Sequence, residues 1–137
     1  MRNCITCIIL FFLISCNSGS QGEKGTFTAH AGYIQVVLFH MEQRCESCDA
    51  VELETENLLN EEYAEELQSG EVKFISLNYQ SEKGKQAAKQ LKATGQTLYV
   101  IKGDSISNLT SPAFMYAHTH PEYYRDALRK ELDKYLE

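Results

Sequence analysis

Tyr33-Ile34-Gln35-Val36-Val37-Leu38-Phe39 is an apolar run broken only at Gln35, and six residues further on stands Cys45-Glu46-Ser47-Cys48. The run suits a central strand covered on both faces. Behind the cysteines, Cys48, Val51, Thr55, Leu58 and Leu59 recur at three- and four-residue spacing, the period of a helix. A strand that runs out into C-x-x-C at a helix start places both sulfurs on one helical turn. The unpaired N–H groups and positive dipole end of that helix favour a thiolate on Cys45. The spacing and placement together point to thiol–disulfide chemistry, with Cys45 as the exposed nucleophile and Cys48 as the more buried resolving thiol.

Outward from this motif the pattern is regular. Glu52, Glu54 and Glu56 fill the gaps of the first helix, and the glutamates of 52–66 read as a solvated helix face. A break is expected near Asn57–Asn60, with helix resuming through Glu61–Leu67 and ending at Ser69-Gly70. Val72–Leu77 alternates as a second strand. Glu82–Leu91 reads as a helix with Ala87, Ala88 and Leu91 inward, stopped at Thr94-Gly95. Thr97–Ile101 is β-branched and aromatic, a third strand, and Lys102-Gly103-Asp104 turns it into a short antiparallel partner, Ser105–Leu109. Pro121 opens a last helix at its first turn, where the missing N–H costs nothing. Tyr124, Leu128, Leu132, Tyr135 and Leu136 form the apolar stripe of that helix. Glu122 at its start and Lys130 and Lys134 near its end match the helix dipole. The predicted order is β-α-β-α-β-β-α, an α/β fold with a central mixed sheet flanked by helices.

The other end of the chain speaks of location. Arg2 precedes an apolar core from about Cys7 to Ile14, too short for the roughly 20 residues of a comfortable membrane span and suited to a signal peptide. It ends in Leu13-Ile14-Ser15-Cys16, which resembles the bacterial lipobox. That resemblance implies cleavage before Cys16 and lipid on its sulfur and new amine. An uncleaved membrane anchor is the alternative. The expected organisation is a lipoprotein signal peptide over 1–15, a lipidated Cys16 with a flexible polar tether over 16–29, and one small domain over 30–137. Cys4 and Cys7 also form C-x-x-C, but inside the targeting segment, and carry no chemistry.

Without the signal peptide, and with Cys16 taken by lipid, Cys45 and Cys48 are the only free thiols. Outside the inner membrane a vicinal pair is expected to cycle between dithiol and disulfide. A four-coordinate structural zinc wants more ligands than this pair supplies. The chain holds 19 Asp and Glu against 13 Lys and Arg, one of which, Arg2, leaves with the signal peptide. Phosphate binding needs a basic footprint, so nucleic acid is excluded as a partner.

With C-x-x-C after the first strand, the chain resembles the thioredoxin fold over residues 30–137. Val37-Leu38-Phe39-His40, Arg44 before Cys45, Glu52, the Thr97-Leu98 strand and the C-terminal Tyr-Leu helix resemble one branch. This is the thioredoxin-like lipoprotein group labelled nitrophenyl-compound nitroreductase subunit ArsF. The resemblance implies a redox role carried by Cys45 and Cys48; no bound cofactor is expected. Two positions depart from the ordinary thioredoxin pattern. Arg44 replaces the Trp that usually precedes the first cysteine, and Gln96 stands where a cis-proline usually faces the disulfide. In the family that proline discourages metal capture, so its absence leaves soft-metal binding by Cys45 and Cys48 as an alternative.

Further residues are candidates on their own chemistry. Arg44 can stabilise a thiolate by its charge, or be a solvated loop residue. Glu46 and Asp49 oppose that effect, so no strongly lowered thiol pKa is expected. His40 ends the first strand and can reach the site, or serve as a strand-end histidine. His118 and His120 form H-x-H; in a strand both would face one side and, with one further ligand, could hold a metal. The function expected is a membrane-anchored redox protein exchanging thiols and disulfides with, or delivering electrons to, a partner protein. Its expected place is the periplasmic face of a membrane, and Asn17, lacking the aspartate retention signal, favours the outer one. The alternatives are a soft-metal-binding lipoprotein, an interaction module without turnover, and an electron-transfer subunit of a nitroreductase.

Overall fold

The computed structural model describes residues 23–137. The expected signal peptide, Cys16 and the first part of the expected tether lie outside the described residues. The elements are β1 (Ile34–His40), α1 (Glu46–Glu62), α2 (Ala64–Ser69), β2 (Val72–Asn78), α3 (Glu82–Leu91), β3 (Thr97–Lys102), β4 (Ser105–Asn108), α4 (Thr110–Tyr116) and α5 (Pro121–Leu136). The four strands form one mixed sheet in the order β2-β1-β3-β4. β1 pairs parallel with β2 and antiparallel with β3, and β4 returns antiparallel on β3. The chain is therefore α/β with a mixed sheet, as expected.

All seven residues of β1 are buried, because helices cover both faces of the sheet. Strand alternation divides them. Ile34, Val36 and Leu38 pack with Val51, Leu58, Tyr124, Leu128 and Leu132 of α1 and α5. Val37 and Phe39 pack on the other face with Ile75, Leu77 and the small residues Ala87 and Ala88 of α3. α3 approaches the sheet closely: a Cβ on Gly84 would stand 1.8 Å from the Asn78 carbonyl oxygen, so only glycine fits. Ser81 caps α3 by accepting from the Gly84 N–H at 2.9 Å.

Gln35, the polar break in the first strand, is fully buried and fully used. Its Oε1 accepts from the Thr28 N–H at 2.9 Å and its Nε2 donates to the Thr28 carbonyl at 2.8 Å. The amide acts as an extra backbone unit and fastens the incoming chain. Lys24 also bridges Ser76 of β2 in antiparallel fashion. Residues 23–29, assigned from sequence to the flexible tether, are thus docked on the domain.

Two helical boundaries differ from expectation. The long helix breaks at Tyr63 (φ −126°, ψ 31°), not near Asn57–Asn60. Tyr63 is buried and its hydroxyl donates to Asp133 Oδ1 of α5 at 2.7 Å, a tertiary attachment with no local signal. α4 was not expected. Asn108 Oδ1 accepts from the Thr110 N–H at 2.9 Å at its start, and Pro112 falls in the first turn, where no helical donor is lost. Ala113 anchors α4 in the core.

Candidate functional site

β1 ends at His40 on the sheet's central axis, and six residues later α1 begins. His40 is buried; its Nδ1–H donates to the Met41 carbonyl at 2.9 Å. Its own carbonyl accepts from the Tyr79 N–H at 2.8 Å. His40 thus fastens the start of the loop that carries the chain to the cysteines. Cys45 occupies the N-cap of α1 in extended conformation (φ −104°, ψ 164°), and its carbonyl accepts the first helical bond from Asp49 at 3.1 Å.

The two thiols are free, Cys45 exposed and Cys48 buried, with their sulfurs 3.4 Å apart. The Cys45 side chain makes no capping hydrogen bond as a thiol. As a thiolate it gains the Cys48 backbone N–H, then the Cys48 thiol, and these hold its pKa below the ordinary cysteine value despite a small opposing effect of burial. Cys48 moves the other way: burial pushes its thiol up. One sulfur is thus prepared to ionise and the other to keep its proton. The downward direction at Cys45 is compatible with the expectation of no strongly lowered thiol pKa.

Gln96 lies beside the pair. Its Nε2 donates to Cys48 Sγ at 3.0 Å. The described peptide bonds, including those around Gln96, are all trans.

Arg44 is half-buried, with its guanidinium turned to two carboxylates. Nε lies 3.0 Å from Asp49 Oδ1, and Nη2 pairs with Glu52 Oε2. Its charge acts on Cys48, where it opposes the upward push of burial. Glu52 is only 7% exposed, so the reading of the glutamate run as solvated surface fails at its first member. The carboxylate takes Lys24 Nζ on Oε1 at 2.9 Å and the Ser76 hydroxyl on Oε2 at 3.3 Å. Burial alone would raise its pKa, but Lys24 and Arg44 together outweigh burial and hold it below the usual carboxylate range. Glu54 and Glu61 meet Arg125, and Glu62 meets Arg129, so much of the acidic face pairs with α5.

His118 and His120 stand in the turn between α4 and α5, not in a strand. His118 Nε2 lies 3.9 Å from Glu46 Oε2, at the exposed flank of the cysteines. His120 instead stacks on Tyr123 at 5.7 Å between ring centroids. Among the described residues no group of three or more His, Cys, Asp and Glu side chains is gathered to hold a metal. A cavity of about 410 Å³, lined by Phe27, Leu91, Ile101 and Ile106 among others, holds none of the expected site residues. It lies toward the other end of the sheet, where Ile101 pairs with Gln35.

Sequence reasoning missed Lys24 and the burial of Glu52. The signal available was spacing: Arg44, Cys48 and Glu52 stand four residues apart, one stripe of a helix and its lead-in. Comparison of the chain with family models, curated proteins and solved structures returned no match.

Proposed function

We propose that this chain is a thioredoxin-like thiol–disulfide exchange protein working through Cys45 and Cys48. One observation carries the reading: an exposed sulfur favoured as thiolate stands 3.4 Å from a buried sulfur favoured as thiol, at the first turn of the helix that follows the central strand. A parallel β1–β2 pair, an antiparallel β3–β4 hairpin and a helix on each crossover also support the thioredoxin-like reading.

The exchange balances on these two atoms. The Cys45 thiolate attacks one sulfur of a partner disulfide. A Cys45–partner bond forms, the partner's S–S bond breaks, and the second partner sulfur leaves as thiolate and takes a proton. Cys48 then loses its proton and attacks Cys45 Sγ, and the partner's remaining sulfur leaves. The partner gains two electrons and the pair becomes a disulfide; the reverse sequence oxidises a partner dithiol. Gln96 Nε2–H faces the sulfur that must develop negative charge in the second attack.

The proposal extends to location. Leu13-Ile14-Ser15-Cys16 supports lipid attachment at Cys16 and a periplasmic site of action on a partner protein, with the outer membrane favoured by Asn17. Among the described residues no helix is long and apolar enough to cross a membrane.

The test is reduction of insulin by the reduced protein, together with capture of a mixed disulfide by a Cys48→Ser variant and identification of the captured protein. Turnover lost in Cys45→Ser and a partner trapped through Cys45 are the expected results. Copper or zinc held by the purified reduced pair, with no turnover, would overturn the reading in favour of soft-metal binding.

A further inference from the structure

Arg44, Cys48 and Glu52 occupy positions i, i+4 and i+8, and Arg44 lies just ahead of the N-cap. To pair with Glu52 and pass 3.0 Å from Asp49, the Arg44 side chain has to run along the flank of α1 that carries Cys48. Its far end is fixed by a carboxylate that is itself held from the other side. Glu52 Oε1 receives Lys24 Nζ at 2.9 Å, and the same ammonium reaches Glu56. A carboxylate this buried is costly unless both cations are present.

Lys24 is placed by the backbone. Its N–H donates to the Ser76 carbonyl at 2.7 Å, and the Ser76 N–H donates to its carbonyl at 2.9 Å. The neighbouring Glu23 carboxylate accepts from the Asn78 N–H at 3.3 Å and from the Ser81 hydroxyl. Gly25 takes φ +74° beyond the bridge, where a Cβ would press on Ile75 and the Phe74 carbonyl at 3.2 Å. This incoming segment is therefore seated in one register on the edge of β2, with the Lys24 ammonium delivered to Glu52.

We propose that Lys24 is a positioning residue of the thiol pair: by sharing the Glu52 carboxylate with Arg44 it leaves the Arg44 charge acting on Cys48, so that the segment entering the domain is part of the redox site. With Lys24 in place, Glu52 shares its charge between two cations and Arg44 keeps field to spare for the sulfur. Without Lys24, Glu52 is neutralised by Arg44 alone and the sulfur loses that field. Without Glu52, Arg44 is released to the cysteines. Besides this chain of groups, the charges about the pair are Asp49, and Glu46 with His118 across the opposite flank. The consequence for exchange rests on the function proposed above; the geometry does not.

The test uses the full chain and its Lys24→Ala, Lys24→Gln, Lys24→Arg, Glu52→Gln and Lys24→Ala/Glu52→Gln variants, with folding checked by circular dichroism. The pH profile of iodoacetamide modification at Cys48 is read by peptide mass spectrometry in a Cys45→Ser background, and the dithiol–disulfide balance, with both cysteines present, is read against glutathione. One charge lost or released near the Cys48 sulfur is worth roughly a two- to fivefold change. Lys24→Ala and Lys24→Gln should slow modification near neutral pH by that factor and shift the glutathione balance toward disulfide. Glu52→Gln should do the opposite on both, and Lys24→Arg should match the parent. The deciding arm is the double variant, which should behave as Glu52→Gln alone, because Lys24 then has nothing to act through. An unchanged Cys48 profile in both Lys24→Ala and Lys24→Gln would overturn the proposal. So would an equal Lys24→Ala effect with and without Glu52, since Lys24 would then act by its own field. A pair that forms no reversible disulfide in any variant would overturn the function instead, with the alkylation profiles still deciding the role of Lys24.

Discussion

The Gln96 side-chain amide donates to Cys48 Sγ at 3.0 Å. It reaches from the loop ahead of β3 to a sulfur buried under α1, joining residues 48 apart in sequence. An N–H donor aimed at a sulfur stabilises the thiolate more than the thiol. Gln96→Ala is therefore expected to slow the step in which Cys48 resolves a Cys45 mixed disulfide, by roughly five- to tenfold for one hydrogen bond of this kind. Stopped-flow measurement of glutathione release from the Cys45–glutathione adduct reads this directly. Gln96→Glu, which swaps the donor for a carboxylate, should be slower still. An unchanged release rate in both variants would remove Gln96 from the chemistry.

The two thiols should differ in reactivity. Cys45 is exposed with its pKa lowered, and Cys48 is buried with its pKa raised. Under limiting iodoacetamide at neutral pH, Cys45 is expected to be modified first. Its rate should hold down to its lowered pKa and fall as pH drops through that value, because only the thiolate reacts. Peptide mapping after quenching at a series of pH values reads both statements. Faster modification of Cys48 would reverse the two roles.

Glu52 links the site to acid stability. Its folded-state pKa is lowered, so between that value and the ordinary carboxylate range the unfolded chain binds more protons than the folded one. Its contribution is fully present above the unfolded pKa and is lost as pH falls through the folded one. Glu52→Gln is expected to lower stability near neutral pH by on the order of 2 kcal/mol, since two cations lose a buried partner. The difference from the parent should shrink as pH drops below about 4. Urea denaturation of both proteins at several pH values measures it. A difference that stays constant with pH would mean that Glu52 is not ionised in the fold.

Gly84→Ala probes the fold away from the cysteines. The added Cβ would meet the Asn78 carbonyl oxygen at 1.8 Å, so α3 or the end of β2 has to shift. A loss of about 3 kcal/mol is expected from this overpacking, read as a lower urea midpoint. An unchanged midpoint would mean that α3 stands further from β2 than described.

Cys16→Ala tests the anchor. The change should abolish incorporation of labelled palmitate and leave the protein unprocessed or released from membranes. Lipid labelling and membrane attachment that survive it would refute the lipoprotein assignment.

Residues in local registers were legible in the sequence. The alternation in Val72–Leu77, the β-branched run at Thr97–Ile101, Pro121 at a helix start and C-x-x-C after an apolar run each declare themselves within a few residues. Periodicity and backbone restriction act at that range, and every one of these elements is present in the fold. What the sequence by itself determined is therefore the order of the four strands and of every helix but α4, and the place of Cys45 and Cys48 at the mouth of the first helix. Tertiary structure alone decided what surrounds them. Glu52 looks like its solvated neighbours Glu54 and Glu56, because one glutamate in a run gives no sign of which will face the sheet. It is buried because Lys24 and Arg44, from two separate segments, converge on it. Lys24 looked like part of a polar tether, because pairing with Ser76 depends on an open strand edge that exists only once the sheet has formed. His118 and His120 alternate as a strand would, yet they lie in a turn, because α4 brings the chain to α5 with no extended segment between them. Charge pairing and edge pairing join residues far apart in sequence, and only the folded chain brings such partners together.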